Sequence, residues 1–253
     1  MKGTYKTEFR LMPADFDFLN RWRVSSCFRV MQDMAVEHAY KLGFGFEAMR
    51  GRKMLWLLCR SKLVYESLPD KHFPVLGITH WRGTKGIFFL RDHEFYQNGN
   101  RIAYSLSAWV VADWETHRVL RGTAIDFGDC CQAADIPEIA LEKLEKYKRA
   151  VDETPVFERV ARYSDLDINH HMNNARYIEW VMDIFPYDWH LDRSVASVQI
   201  NYSAEVLPEE KIKLYRNDTG QLSYVWGQKD DGRQAFECLV EWTKNLKTLQ
   251  GES

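Results

Sequence analysis

Two stretches of the chain carry apolar residues at the spacing of an amphipathic α-helix. The apolar positions recur every three or four residues, which is the period of a helix that buries one face. They are Phe28, Met31, Ala35 and His38 in the first stretch and Tyr177, Ile178, Val181 and Met182 in the second. A short polar motif precedes each stretch, so each motif is predicted to lead into a helix.

Runs with a different pattern follow the first helix. LWLLCRSKLVYE, KGIFFLRDHEFY and RIAYSLSAWVVADW alternate and are rich in β-branched and aromatic residues, as strands are. Asn98-Gly99 and, later in the chain, Asp231-Gly232 are typical turns of β-hairpins. One helix followed by antiparallel strands predicts an α+β unit.

The chain contains this unit twice. Asp17 and Asp33 recur as Asp167 and Asp183, both 150 positions later. Two further sets keep the same order: Glu66 and Pro69 match Glu205 and Pro208 at an offset of 139, and Gly99 and Trp109 match Gly232 and Trp242 at 133. The matches predict a duplicated unit of about 110 to 130 residues, within the usual range for a domain.

Composition shifts place the boundaries of the two units. We expect a first domain over 1–120, a linker with its own short helix over 121–158, and a second domain over 159–253. The linker contains an irregular stretch, RGTAIDFGDCCQAADIP, followed by the charged, helix-like stretch EIALEKLEKYKRA. Two α+β units in tandem could pair sheet to sheet.

Charge and cysteine content narrow the functional classes. The 253 residues have a formal net charge of -2, which gives no overall field to attract nucleic acid or a membrane surface. No apolar run approaches the roughly 20 residues of a transmembrane helix, and the N-terminus lacks the apolar core of a signal peptide. The five cysteines form no CxxC pair. We therefore expect reduced thiols in a cytoplasmic protein, with neither nucleic acid nor membrane as a partner.

The second polar motif, DLDINHHMNNARY at residues 165–177, has the densest functional chemistry of the chain. Asp167, Asn169 and His171 lie at i, i+2 and i+4, so their side chains can point to one side of an extended segment. Asn173 and Asn174 follow, and we interpret them as caps for the N–H groups of the helix.

The first copy serves as a control for this motif. At the equivalent positions it has Asp17, Leu19 and Arg21, although it also precedes a helix. Capping alone therefore does not require Asn169 and His171, and we favour an acid/base role for His171. Because both copies keep the aspartate, a structural role for Asp167 stays open.

Glu205 is the fourth candidate. It lies in the mostly apolar run VQINYSAEVLP, where an isolated carboxylate is costly unless it has a partner. Its sequence counterpart Glu66 indicates that a carboxylate here can also be structural, so both interpretations stay open.

Several kinds of chemistry lack their usual motif in this sequence. It contains no GxSxG, no GxxxxGK[ST], no GxGxxG and no HExxH. His170 and His171 are adjacent and point apart on an extended chain, so we expect no metal and no cofactor. A carboxylate, an imidazole and an amide beside a helix N-terminus instead fit the hydrolysis of an activated acyl group.

The run DLDINHHMNNARYIEW resembles the signature of the plant and bacterial acyl-acyl carrier protein thioesterases. The resemblance extends over nearly the whole chain, including VMQDMAVEHAYKLGFG and TKGIFFLRDHEFY in the first half. It implies a double hotdog fold, in which two antiparallel sheets each wrap around a central helix. It also implies a catalytic network of Asp167, Asn169, His171 and Glu205. Plant members often have a cysteine after that glutamate, whereas this chain has Val206, so water is the expected nucleophile.

The resemblance further implies hydrolysis of fatty acyl-acyl carrier protein, which releases free fatty acid and ends chain elongation. Two alternatives are an acyl-coenzyme A thioesterase and a non-catalytic acyl-binding hotdog protein. The first copy would supply no chemistry and would line the acyl channel, with ordinary core packing as the alternative for each candidate: Met31, Met34, Met54, Trp56, Phe88 and Phe89.

The implied partner is acyl carrier protein, an acidic domain that should require a basic surface. The residues predicted to form it, each of which could equally be a solvated residue without function, are Arg50, Arg52, Lys53, Arg82, Lys85 and Arg91. A chain with two copies already contains both units of a simpler hotdog dimer, so we expect a monomer or a homodimer.

Overall fold

A computed structural model describes residues 3–121, 125, 141–148 and 154–244. Both halves contain the same elements in the same order: one strand, a long helix, a short helix and four strands. In the first half these are β1 (Thr4–Phe9), α1 (Val24–Lys41), α2 (Phe46–Gly51), β2 (Met54–Tyr65), β3 (Val75–Lys85), β4 (Phe88–Gln97) and β5 (Asn100–Asp113). In the second they are β6 (Phe157–Val160), α3 (Asn174–Asp183), α4 (Tyr187–Asp192), β7 (Ser194–Tyr202), β8 (Lys211–Thr219), β9 (Leu222–Lys229) and β10 (Gln234–Thr243). The duplication is confirmed.

The strands of both halves form one continuous antiparallel sheet. Its order is β1-β3-β4-β5-β2-β7-β10-β9-β8-β6, so the two halves join edge to edge through β2 and β7. In the centre of that pairing Lys62 is opposite Gln199, and Arg60 and Val64 are opposite Asn201 and Ser197. β2 and β7 are equivalent strands, and the register pairs each with the other symmetrically, as in an isologous dimer interface. The α+β class and the hotdog units are confirmed; the two expected sheets are halves of one.

The two long helices pack against each other and bury their apolar faces on strands of both halves. Phe28, Met31, Ala35 and His38 of α1 are buried, as are Tyr177, Ile178 and Val181 of α3. The helical spacing therefore predicted the buried faces, because each face has only the sheet and the other helix to cover it. Within the described residues no helix combines the length and the apolar character needed to span a bilayer.

A short piece of the linker crosses the join between the halves. The main chain of Glu142 forms two hydrogen bonds with the Gln199 side chain, each 2.9 Å. Leu144–Tyr147 form a 3₁₀ turn rather than an α-helix, and Leu144 packs on Tyr224 and Trp226 of β9. Residues 138–140 and 149–150 of EIALEKLEKYKRA lie outside the described residues. Strand β6 begins at Phe157, just before the boundary predicted at 159.

Candidate active site

The motif before α3 folds into a tight loop that Asp167 holds together. Its main-chain N–H donates to the His171 carbonyl at 2.9 Å, and its Oδ1 accepts the Asn169 N–H at 2.8 Å. His170 turns the chain with a φ of 61°, in the left-handed region that non-glycine residues enter rarely. The loop fixes the positions of Asn169 and His171 from the backbone.

The first copy forms the same loop. The Asp17 N–H donates to the Arg21 carbonyl at 2.9 Å, Asp17 Oδ1 accepts the Leu19 N–H at 2.9 Å, and Asn20 has a φ of 56°. Since Asp17 does this without any of the proposed chemistry, the loop contacts of Asp167 are structural ones.

The copies differ at the last position of the loop. Asp17 also accepts the Arg21 N–H at 2.9 Å and the Arg21 Nε–H at 2.8 Å. No corresponding bond joins His171 to the Asp167 carboxylate in the described part of the chain. The substitution therefore leaves the His171 N–H and its imidazole for other partners.

The helix begins as predicted from its asparagines. Asn173 is the N-cap of α3, and its side chain accepts the Ala175 N–H at 2.9 Å. Asn174 is the first helical residue, and its carbonyl accepts the Tyr202 hydroxyl at 3.0 Å. Capping is confirmed for Asn173.

His171 and Glu205, both in the second half of the chain, lie in contact with each other. His171 Nε2 lies 3.4 Å from Glu205 Oε2, with side-chain exposures of 25% and 35%. The backbone fixes this pair, because the N–H of Met172 donates to the carbonyl of Val206 at 2.9 Å. Each partner of that bond adjoins one member of the pair.

A buried tyrosine of α3 holds the segment around Glu205 through a hydrogen bond. The Tyr177 hydroxyl accepts the Val206 N–H at 3.2 Å. Burial raises the pKa of Tyr177, and the carboxylates of Glu205, Glu210 and Asp167 add to the rise. The phenol is therefore a neutral anchor and not a base at neutral pH.

Asn169 completes the predicted set less directly. Its side chain is exposed on the same loop, two residues before His171, and its described hydrogen bond is the main-chain one to Asp167. The structure thus brings His171 and Glu205 into contact. Asp167 makes the hydrogen bonds that close the loop, and the Asn169 side chain is exposed on that loop.

The interpretation of Glu66 as the counterpart of Glu205 is wrong. Tyr65 and Tyr202 are the last residues of the equivalent strands β2 and β7. After Tyr65, the N–H groups of Glu66 and Ser67 both donate to the Ile102 carbonyl. After Tyr202, the N–H groups of Ser203 and Ala204 both donate to the Ala235 carbonyl. These bonds align Glu66 with Ser203, so the second copy has two extra residues before its proline. Glu66 instead forms an ion pair with Arg101.

One residue that the sequence did not indicate reaches this site from the first half. His117 Nδ1 lies 3.6 Å from Glu205 Oε2, the oxygen that also faces His171. The rings of His117 and His171 are 6.4 Å apart and nearly perpendicular. His117 follows β5 in a turn with no motif signature, and only its position after a strand end could have indicated it.

Family models match both halves. Residues 2–124 match the acyl-ACP thioesterase N-terminal domain, and residues 148–244 match the acyl-ACP thioesterase C-terminal domain. The chain belongs to the acyl-ACP thioesterase family. The family resemblance of the motif before α3 is therefore confirmed. The His171–Glu205 pair lies in the region of this chain that matches the C-terminal domain.

Curated relatives of the chain in this thioesterase family include plant enzymes. An oleoyl-acyl carrier protein thioesterase of Arabidopsis thaliana is 23% identical over 91% of this chain and 68% of its own length. A dodecanoyl-[acyl-carrier-protein] hydrolase of Cinnamomum camphora is 23% identical over 85% of this chain and 61% of its own length. This chain thus spans roughly three fifths to two thirds of these curated relatives.

Solved structures of the family share the double hotdog fold. An acyl-ACP thioesterase from Bacteroides thetaiotaomicron superposes with a TM-score of 0.83 at 21% identity, covering 95% of this chain and 98% of that one. The 12:0-ACP thioesterase from Umbellularia californica gives 0.77 at 19% identity, covering 96% and 98%. At this identity the likeness establishes the fold.

Among the described residues of this family member, no cysteine forms a hydrogen bond with His171 or Glu205. Cys27 and Cys238 are fully buried free thiols, and burial raises the pKa of both. Cys59 is a free, half-buried thiol on β2, with its pKa also raised by burial. Cys130 and Cys131 lie outside the described residues.

The candidate acyl wall divides into separate groups. Met31 and Met34 lie on α1 and belong to the main core, whereas Met54, Trp56 and Phe89 belong to a second cluster around Phe44 and Trp81. The Arg60 guanidinium lies over Phe88. The six residues therefore do not line a single surface.

The predicted basic surface is smaller than expected. Arg91 is buried against His38 and Thr79, and Arg82 is ion-paired with Asp92, so neither forms part of an open patch. The remaining four are exposed, although Lys53 is also ion-paired with Glu115 at 3.3 Å: Arg50, Arg52, Lys53 and Lys85. Arg50, Arg52 and Lys53 lie together where α2 leads into β2.

Proposed function

We propose that the chain hydrolyses the thioester of fatty acyl-acyl carrier protein, with water as the nucleophile, and so ends chain elongation. The observation that supports this most strongly is the 3.4 Å approach of His171 Nε2 to Glu205 Oε2 on two segments joined by a backbone hydrogen bond. A paired imidazole and carboxylate at a solvent-accessible site are suited to taking a proton from water.

The reaction has one bond formed and one broken at the thioester carbon. Glu205 and His171 together remove a proton from water as its oxygen attacks the carbonyl carbon. The carbonyl oxygen becomes negative and is stabilised by Asn169 and by the His171 N–H. The C–S bond then breaks, the thiolate takes up the proton, and free fatty acid and a thiol leave.

The test measures thiol release from acyl-acyl carrier protein. We expect His171→Ala and Glu205→Gln each to lower kcat by about 10² to 10⁴, the usual contribution of a positioned base. Asn169→Ala should cost about 10² to 10³, the contribution of an oxyanion donor. His170→Ala is the matched control, since this neighbour is exposed and no described contact joins its side chain to either member of the pair.

Circular dichroism must show that every variant is folded. A wild-type chain that binds acyl-acyl carrier protein without releasing thiol would make it an acyl-binding protein instead. Equal or greater kcat/KM on the acyl-coenzyme A of the same chain length would make it an acyl-coenzyme A thioesterase.

The oligomeric state is part of the same proposal. The β2–β7 pairing already joins two hotdog units within one chain, which supports a monomer over a homodimer. Light scattering after gel filtration tests this directly. The cytoplasmic location stays a prediction.

A further inference from the structure

The turn after β5 places a second imidazole against the carboxylate of the proposed base. Glu205 Oε2 is 3.4 Å from His171 Nε2 and 3.6 Å from His117 Nδ1. His171 belongs to the second half of the chain and His117 to the first. The site is therefore assembled from both halves.

The turn that carries His117 is held by many bonds. Asp113 Oδ1 accepts three of them, from the N–H groups of Glu115 and Thr116 and from the Thr116 hydroxyl, at 2.8 to 3.1 Å. These bonds hold the pKa of Asp113 below its usual value, so it stays ionised. The His117 N–H donates to the Asp113 carbonyl at 2.9 Å.

The backbone of His117 is in an uncommon conformation. Its φ is 54°, in the left-handed region, which costs most residues about 1 kcal/mol or more. In this conformation the His117 side chain is 47% exposed, and its Nδ1 lies 3.6 Å from Glu205 Oε2.

We propose that His117 is a positioning residue of the thioesterase, which holds the Glu205 carboxylate in the orientation that His171 and the attacking water require. This rests on the proposed function. A carboxylate on a loop has several rotamers of similar energy, and two imidazoles on one of its oxygens restrict them. Precise placement of a base contributes to rate through geometry, independently of its basicity.

Two imidazoles and a carboxylate are also a possible ligand set for a metal ion. Among the described residues, however, no group of three such side chains has the arrangement that holds one. The positioning role is therefore the one that the geometry favours, and the experiment includes a chelator.

The experiment uses two variants that tolerate a positive φ. His117→Gly removes the side chain and relaxes the backbone, whereas His117→Asn keeps an N–H donor where Nδ1 lies. We expect His117→Gly to lower kcat about 10-fold at nearly unchanged KM, and His117→Asn to recover most of that loss, since a fixed geometry and not a proton is supplied. His170→Gly is the control, because His170 is also exposed with a φ of 61°.

A double-mutant cycle decides whether His117 acts through Glu205. Adding His117→Gly to Glu205→Gln should cause no further loss, because residues that act as a unit are not additive. Independent losses that multiply would overturn the proposal, as would full activity in His117→Gly. Loss on EDTA treatment with recovery on adding zinc would replace it with a metal site.

A measurement without activity separates this proposal from the proposed function. The His117 ring signal in the NMR spectrum should move in Glu205→Gln and not in His170→Gly, because only the first variant changes the group that Nδ1 faces. The other ionisable groups near this carboxylate, His171, Asp167, Tyr177 and Glu210, are the same in both variants. An identical His117 ring signal in wild type and Glu205→Gln would overturn the pairing, whereas a wild type that releases no thiol would overturn only the function.

Discussion

At the scale of single residues, comparing the two copies of the motif distinguishes the residue that holds the loop together from the residue that could act in catalysis. Asp17 and Asp167 accept the same N–H two residues ahead, at 2.9 and 2.8 Å. The aspartate is common to both loops, whereas the imidazole is found in one. The role of Asp167 is therefore to shape the loop that presents His171.

This role predicts a difference between two substitutions of Asp167. Asp167→Asn keeps the oxygen that accepts the Asn169 N–H, so we expect kcat/KM to stay within a few-fold of wild type. Asp167→Ala removes it and should destabilise the loop by about 1 kcal/mol, as loss of a similar capping side chain does, with a larger loss of kcat. Steady-state kinetics and thermal unfolding of both variants measure this.

Asp17→Ala is the internal control: it should lower stability by at least as much, because Asp17 also accepts two hydrogen bonds from Arg21, but without a loss of kcat. If Asp167→Asn were as inactive as Asp167→Ala while fully folded, the charge of Asp167 would act on His171 directly, contrary to this prediction.

The sequence could indicate only part of this site. Asn173 was predictable as a cap and His171 as a reactive group because both belong to one local pattern. His117 was not, since it lies 54 positions before His171 and becomes a neighbour of Glu205 only when the halves pair. Glu66 misled the comparison because the prolines align in sequence while the strand ends do not.

At the scale of elements, α3 fixes the Glu205 segment through one hydroxyl. Tyr177 is buried and Tyr202 is partly buried, and their ring centroids are 5.3 Å apart. The Tyr177 hydroxyl bonds to the N–H of Val206, next to Glu205, whereas the Tyr202 hydroxyl bonds to the helix carbonyl of Asn174. Two similar bonds thus support different segments.

This pair predicts a matched comparison. Tyr177→Phe and Tyr202→Phe should each cost about 1 kcal/mol of unfolding free energy, the net value of a hydrogen bond. Only Tyr177→Phe should also lower kcat, by several-fold, because it frees the Glu205 segment. Urea denaturation and thiol release measure the two effects. Equal effects on kcat in both variants would show that the anchor is not specific to this loop.

The exposed basic residues at the end of α2 indicate where an acidic partner would approach. The Lys53 carbonyl accepts the Trp114 N–H at 2.9 Å, and the Arg50 guanidinium lies over the Trp114 ring. Arg50 and Lys53 therefore lie beside the turn that carries His117. Acyl carrier protein docked there would place its thioester near the site.

Charge reversal tests this approach. Arg50→Glu with Arg52→Glu should raise KM for acyl-acyl carrier protein about 10-fold at low salt, since complementary charge acts mainly on association. KM for the matching acyl-coenzyme A should change much less. Lys211→Glu with Lys213→Glu, on β8 of the other half, is the control. An equal rise in KM for both substrates would mean damage to the site and not to docking.

At the scale of the whole molecule, pairing of the two units could be predicted but its register could not. Repeats and alternating strands indicated two α+β units, and edge-to-edge pairing satisfies the backbone groups of two edge strands. That β2 meets β7 with Lys62 opposite Gln199 depends on side chains from both halves and on the linker that crosses them. No local pattern contains that information.

The symmetric pairing also explains the arginine in the first motif. Arg21 occupies the position of His171, and its Nη1 donates to the carbonyls of His190 and Arg193 in the second half, at 3.1 and 2.6 Å. Through these bonds Arg21 of the first motif connects the two halves of the chain. In the second motif His171 instead faces the Glu205 carboxylate, which His117 of the first half also faces. Each motif loop faces the opposite half, and only one faces a reactive carboxylate.

Arg21→Ala should therefore lower the unfolding free energy by about 2 to 3 kcal/mol, since hydrogen bonds from a charged group are worth more than neutral ones. Because Arg21 touches no part of the His171–Glu205 pair, kcat at 25 °C should stay near the wild-type value. Arg21→Lys should recover little, since a lysine lacks the planar fork that meets two carbonyls and Asp17 together. A large fall in kcat with unchanged stability would instead make the first motif part of the chemistry, and the division of roles between the two copies would be wrong.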